Sequence, residues 1–192
     1  MKGICFKEPL FHSTIQMRKT QTRRIANAQP DDIGPRTTNV LFEDWHGKEI
    51  RPKYKVDEIV YLKEPYIDDF SMDKIFYKFE KSDKTFINTQ IPDISNPWKN
   101  KLFMPQSAAR YFIKITDVRF ERLQEITEED CIKEGIEGYT HDSRSFIFGW
   151  EGNMIYQSHI EAYAALIDQI SGKGTWESNP FVFVYDYELM PF

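Results

Sequence analysis

Residues 110–123 carry the clearest strand signal in the chain, and they limit the folds that can hold it. Tyr111, Ile113, Ile115 and Asp117 alternate with Phe112, Lys114, Thr116 and Val118, which sends one set of side chains to each side of a sheet. Such a strand cannot stand alone, because its N–H and C=O groups need partners. Residues 181–189, dense in Phe, Val and Tyr, give a closing strand, and shorter strand signals lie at 2–6, 56–66 and 75–79. Helical spacing is confined to residues 9–16, a short stretch opened by Thr127, and residues 159–170, where Ile160, Tyr163, Ala164 and Ile167 share a face. Thr127 and Asp130 make a capping-box-like pair, Gly135 is a natural stop, and Gly172 and Gly174 end the last helix. Isolated strands with few helices predict an α+β fold around a compact β core.

Between these elements lie long irregular stretches. Residues 26–47 are rich in Asn, Asp, Pro and Gly, residues 91–104 are punctuated by Pro and Asn, and residues 137–156 are aromatic but aperiodic. At 192 residues the chain fits a single domain, 1–192. No run approaches the roughly 18 apolar residues of a membrane span, and mean hydropathy is −0.56. The N-terminus lacks a signal-peptide apolar region. Cys5 and Cys131 are too few for a disulfide framework, and His12, His46, His141 and His159 show no metal-ligand spacing. The expectation is a reduced, cytoplasmic protein with no membrane partner, no metal and no cofactor.

Charge is unevenly spread. The chain holds 25 Lys+Arg against 30 Asp+Glu, a net of −5, which argues against binding a long duplex. Residues 1–64 hold 12 Lys/Arg and 9 Asp/Glu, a net of +3, and the remaining 13 and 21 give residues 65–192 a net of −8. Residues 9–30 contain Arg18, Lys19, Arg23 and Arg24 and no acid, and Lys48, Arg51, Lys53 and Lys55 follow with only Glu49 between them. Gathered positive charge on an acidic chain suits a nucleotide or short strand.

Several blocks then stand in order: Lys19-Thr-Gln-Thr-Arg-Arg24, Asp57-Glu-Ile-Val-Tyr-Leu-Lys-Glu64, Ile115-Thr-Asp-Val-Arg-Phe-Glu-Arg-Leu123, Ile126-Thr-Glu-Glu-Asp130 leading to Glu134-Gly135, and Trp176-Glu-Ser-Asn-Pro-Phe-Val-Phe-Val-Tyr185. Together they cover somewhat more than half of the chain, which resembles the ASCH domain family, especially the longer ASCH proteins of phages and prophages. The resemblance implies a PUA-like fold, a small mixed β-barrel with peripheral helices and a cleft for RNA or modified nucleosides. Regions near 26–50, 66–97 and 136–157 become insertions in that domain. Two positions depart from the family pattern: Met17 replaces a glycine two residues before the motif lysine, and Val56 replaces the glycine of a Gly-Asp turn. Both imply altered turns, and Met17 would narrow the space beside the cleft.

The small bacterial members of the family hydrolyse the amide of N4-acetylcytidine with a lysine, a threonine and a glutamate. Position by position, the resemblance puts Lys19, Thr22 and Glu134 in those roles. Amide hydrolysis needs a hydroxyl or water, a base to activate it, and a proton donor for the leaving amine. Thr22 supplies or orients the hydroxyl, Lys19 is the base with its pKa lowered by nearby arginines and burial, and Glu134 protonates the amine. Arg18, Arg23, Arg24 and Glu64 are the expected substrate or nucleic-acid contacts. On a strand Arg23 and Arg24 point to opposite faces, and Arg24, matching the family arginine, is the one expected in the cleft. Trp45, Tyr54, Tyr66 and Trp98 are candidates to stack a base. Two alternatives stay open: a module that binds RNA, short single-stranded nucleic acid or a modified nucleotide without turnover, and a phage accessory protein that binds a host factor.

Overall fold

In a computed structural model of the chain, which describes residues 1–27, 29, 42–43, 49–69, 74–79, 98–141, 144–148 and 155–191, the two strongest strand signals pair with each other. The elements run β1 (Gly3–Cys5), α1 (Glu8–Ile15), β2 (Gln21–Ile25), β3 (Phe42–Glu43), β4 (Glu49–Ile50), β5 (Ile59–Lys63), β6 (Tyr66–Asp69) and β7 (Lys74–Tyr77). They continue as β8 (Phe112–Arg122), α2 (Glu128–Lys133), β9 (Glu137–His141), β10 (Arg144–Phe148), β11 (Ile155–Tyr156), α3 (His159–Ser171), α4 (Thr175–Ser178) and β12 (Phe181–Leu189). The fold is mixed α+β, with a mostly sheet core and few helices.

The main sheet has the order β1-β5-β8-β12-β2, with β1 parallel to β5 and the other pairs antiparallel. Strand β12 lies between β8 and β2, which explains its apolar run: Phe181, Val182, Phe183, Val184 and Tyr185 are all buried. Its register with β8 shifts once. Asp186 faces Asp117 and Tyr187 faces Ile115, leaving Thr116 as the extra residue of a bulge. A bulge breaks the period of two, so the expected alternation holds through Ile115 and then changes face. Phe120, not Asp117, continues the buried side, with its ring 4.9 Å from Phe183 and 5.0 Å from Phe181.

Among the described residues no ladder joins the outer strands β1 and β2, so the sheet is open where a closed small barrel was expected. It nevertheless curls. Arg24 on β2 donates from Nη2 to the carbonyl oxygen of Cys5 on β1 at 2.8 Å, so the two edges face each other across a seam bridged by a side chain. An open edge leaves unpaired backbone groups, and the site described below sits on one.

All three expected insertions contain some regular structure. The 136–157 region forms a three-stranded antiparallel sheet, β11-β10-β9, and the 66–97 region contributes the β6–β7 hairpin. In the first region aperiodic aromatics concealed short strands. In the 26–50 region, β3 pairs with β4. Trp45 and His46 lie outside the described residues. No helix is long and apolar enough to cross a membrane among the described residues.

Candidate functional site

The segment between α1 and β2 is fixed at both ends by backbone bonds. The carbonyl of Ser13 accepts from the N–H groups of Arg18 and Lys19, and the N–H of Thr20 donates to the carbonyl of Lys133 at the end of α2. Met17 takes the left-handed conformation at φ 59°, which glycine adopts at less cost. Its side chain is 70% exposed and does not line the cleft, so it does not narrow it as expected. In the turn before β5, Asp57 takes the left-handed conformation at φ 66° after Val56.

Helix α2 delivers the other half of the site. Thr127 caps it, accepting from the Asp130 N–H at 3.1 Å, and Glu134 is its C-cap residue. Gly135 follows at φ 96°, where a Cβ would also approach Ser13 Oγ at 3.1 Å and Lys19 Cβ at 3.4 Å. Glycine therefore permits both the turn and the close seating of α2 against Lys19.

Lys19 and Glu134 meet there. Lys19 Nζ donates to Glu134 Oε2 at 2.5 Å, to the Glu134 carbonyl at 2.9 Å and to the Gln21 carbonyl at 2.6 Å. Glu134 Oε1 accepts from the Arg23 N–H at 2.6 Å. The pair thus satisfies a carbonyl and an amide of β2, as a neighbouring strand would. Burial lowers the Lys19 pKa from its ordinary value; Glu134 opposes the shift, and Arg24 and Arg23 add to it.

The alternation expected for β2 holds. Arg23 turns inward, its guanidinium fully buried, and Nη2 reaches Glu121 at 2.8 Å and Asp130 at 2.9 Å. Nη1 bonds the Gln21 amide oxygen, and Gln21 Nε2 donates to Asp130 at 3.0 Å and Asp186 at 2.7 Å. Burial works against the Asp130 carboxylate, yet Gln21 and Arg23 hold its pKa below the ordinary value. This network uses the Arg23 guanidinium internally. Arg24 turns the other way and lies 5.4 Å over the Phe6 ring.

Lys19, Thr22, Arg23, Arg24 and Glu134 all line one cleft of about 320 Å³, together with Tyr163, Leu166 and Ile167 of α3, so both arginines border it although the Arg23 guanidinium is held in the internal network. Thr22 is buried at the cleft wall, and its hydroxyl makes no hydrogen bond among the described residues. Phe6, Lys101 and Tyr163 also line the cleft, and sequence reasoning did not assign them to it. Tyr163 has the helical spacing of a core residue, and the core face of α3 is also the cleft wall. Burial, then the charge of Glu134, pushes its hydroxyl well above the ordinary pKa. Lys101 donates to the Phe6 carbonyl at 2.5 Å, and burial lowers its pKa; its irregular surroundings carry no motif.

Other expected contacts lie elsewhere. Arg18 pairs with Glu137 and Gln16 at the surface and is absent from the cleft lining, so it does not help shift Lys19. Glu64 is completely buried and held by Arg110 through two bonds, Nε–Oε1 at 2.7 Å and Nη2–Oε2 at 2.9 Å. It is part of the packing around β5 and lines neither of the two described clefts. Tyr66 packs with Met104 and Ala108, and Trp98 lines no described cleft, whereas Tyr54 lines a second one. Cys131 is fully buried, with its thiol pushed up to about 12 by burial, which suits packing rather than attack. No cluster of His, Cys, Asp and Glu among the described residues can hold a metal ion.

Comparison with family models, curated proteins and solved structures gave no match for this chain.

Proposed function

We propose that the chain is a PUA-like protein of the ASCH kind and that its cleft hydrolyses the amide of an N4-acylated cytidine or a related nucleoside. The observation that carries this reading is the meeting of Lys19, Thr22 and Glu134 on one cleft of about 320 Å³, with Thr22 the member whose side chain has no partner among the described residues. That volume lies in the range of small-molecule sites. Water adds to the acyl carbon while the bond to N4 breaks. Thr22 holds the water, and Lys19 in its neutral form takes a proton from it. The proton passes across the 2.5 Å contact to Glu134, which delivers it to the departing amine, so the pair ends as it began. The lowering of the Lys19 pKa by burial supports its use as a base. Cys5 and Cys131 are free thiols, in keeping with the reducing cytoplasm this reading assigns.

One observation favours binding without turnover. All three Lys19 donors already have acceptors, so the pair serves as a plug for the β2 edge even with no ligand. Incubation of the purified protein with N4-acetylcytidine, followed by chromatography, separates the two. Appearance of cytidine and acetate is the expected result; tight nucleoside or RNA binding with no product would replace the enzyme by a binding module. The host-factor alternative rests on the insertions and has no support in the described residues.

A further inference from the structure

A second cleft, of about 490 Å³, opens on the same seam. Among the described residues Arg24, Arg51, Lys53 and Lys63 line it and no carboxylate does. It shares Cys5, Arg24 and Ile25 with the Lys19 cleft, so the two adjoin at the Arg24 bridge.

Many cations outside this cleft are neutralised by acids, although Lys101 and Arg122 bond carbonyls instead. Lys2, Arg18, Arg23, Arg110, Lys114 and Arg119 each pair with a carboxylate. In the second cleft Arg51 alone does so, with Glu49. Lys63 donates to the Leu102 carbonyl at 2.8 Å, Lys53 lies 5.3 Å over the Tyr54 ring, and Arg24 bonds only the Cys5 carbonyl, its buried Nε left without a partner. None of these three has a carboxylate partner among the described residues. Glu58, whose charge reaches Tyr54 and Tyr185, is paired with Lys2 at 3.1 Å. In a chain with a net charge of −5, gathered cations without acids mark a place for an anion.

We propose that this second cleft is the phosphate subsite of the first, so that the ligand is a nucleotide rather than a free nucleoside. This rests on the reading above: the base sits at Lys19, Thr22 and Glu134, and the phosphate passes Arg24 to reach Lys53 and Lys63. A terminal monophosphate and the phosphodiester of a short strand present the same chemistry to these cations.

The test begins with inorganic phosphate, titrated at low salt against the wild-type protein and the Lys53→Gln/Lys63→Gln variant and followed by amide chemical shifts. Binding at the cleft that weakens in the variant is expected; no wild-type binding, or binding equal in both, overturns the phosphate subsite whatever becomes of the deacylation reading. Affinities for N4-acetylcytidine, its 5′-monophosphate and a trinucleotide containing it are then compared. A preference of roughly tenfold to a hundredfold for the phosphorylated ligands is expected, the effect of one or two charge-assisted bonds. It falls toward one in the glutamine variant and returns in Lys53→Arg/Lys63→Arg. Equal affinity for nucleoside and nucleotide overturns the proposal. The monophosphate exceeding the trinucleotide identifies a terminal phosphate, and the reverse a strand. Phosphate binding with no nucleoside binding rejects the nucleoside reading and reduces the second cleft to an anion site.

Discussion

Substitution Glu134→Gln removes one charge from a pair whose side chains are 1% and 5% exposed, and its cost follows from the hydrogen bonds that carboxylate makes. It accepts from Lys19 Nζ and the Arg23 N–H through its two oxygens. Glutamine offers one oxygen, so one donor is left facing an NH₂ group. Lys19 is then a buried cation compensated only by the carbonyls of Gln21 and Glu134. Removing one partner of a buried pair costs about 3–5 kcal/mol, and the retained acceptor places this variant near about 3 kcal/mol, a large part of the roughly 5–15 kcal/mol that holds a domain together. Urea unfolding followed by tryptophan fluorescence measures it, with the midpoint falling and the slope unchanged.

Lys19→Met/Glu134→Gln should recover part of the loss, because no unpaired charge stays buried. The deficit of Glu134→Gln should also shrink as pH rises. The folded Lys19 pKa already lies below its ordinary 10.5, and Glu134 is what opposes the shift. Between the lowered folded value and 10.5 the unfolded state holds more protons, so stability rises with pH in that window. A single variant within about 0.5 kcal/mol of wild type, the range of an ordinary surface change, would refute the reasoning.

The long strands and the helix caps were legible because each is a local signal: Ile113 and Ile115 by alternation, Thr127 and Gly135 by their capping chemistry. The Thr116 bulge was not, since register depends on the partner strand. The open seam was not either, because closure depends on how β1 and β2 approach. Lys19, Thr22 and Glu134 came from motif positions separated by 115 residues between Lys19 and Glu134, and only folding brings them together. Charge counting drew Arg18 into the site and the family resemblance drew Glu64, yet neither signal can tell a surface pair or a buried pair from a ligand contact. Tyr163 was hidden for the opposite reason, because core face and cleft wall read alike.

Three further outcomes are specific. Cys131, with its thiol pushed up to about 12, should resist iodoacetamide in the folded protein at pH 8 and label only in urea, as read by peptide mass spectrometry; rapid labelling would place it at an accessible surface. Thr127→Ala should lower stability by about 1 kcal/mol through loss of the α2 cap, measured by urea midpoint, and turnover per folded molecule should change little. Above pH 10 stability should fall, because burial raises the pKa values of Tyr54, Tyr163, Tyr185 and Tyr187 above the ordinary 10.0; the unfolded tyrosines release protons first, and a melting temperature flat to pH 11 would contradict this.

The most direct measurement of the central claim is the rate of cytidine release from N4-acetylcytidine by wild type and by Thr22→Val, each checked for its melting temperature. The Thr22 hydroxyl has no partner in the described fold, so its removal should leave stability nearly unchanged. Turnover should fall at least about a hundredfold, the scale of a lost positioning or proton-transfer group. Equal turnover in the two proteins would contradict the claim that the cleft at the β2 edge is where the chemistry occurs.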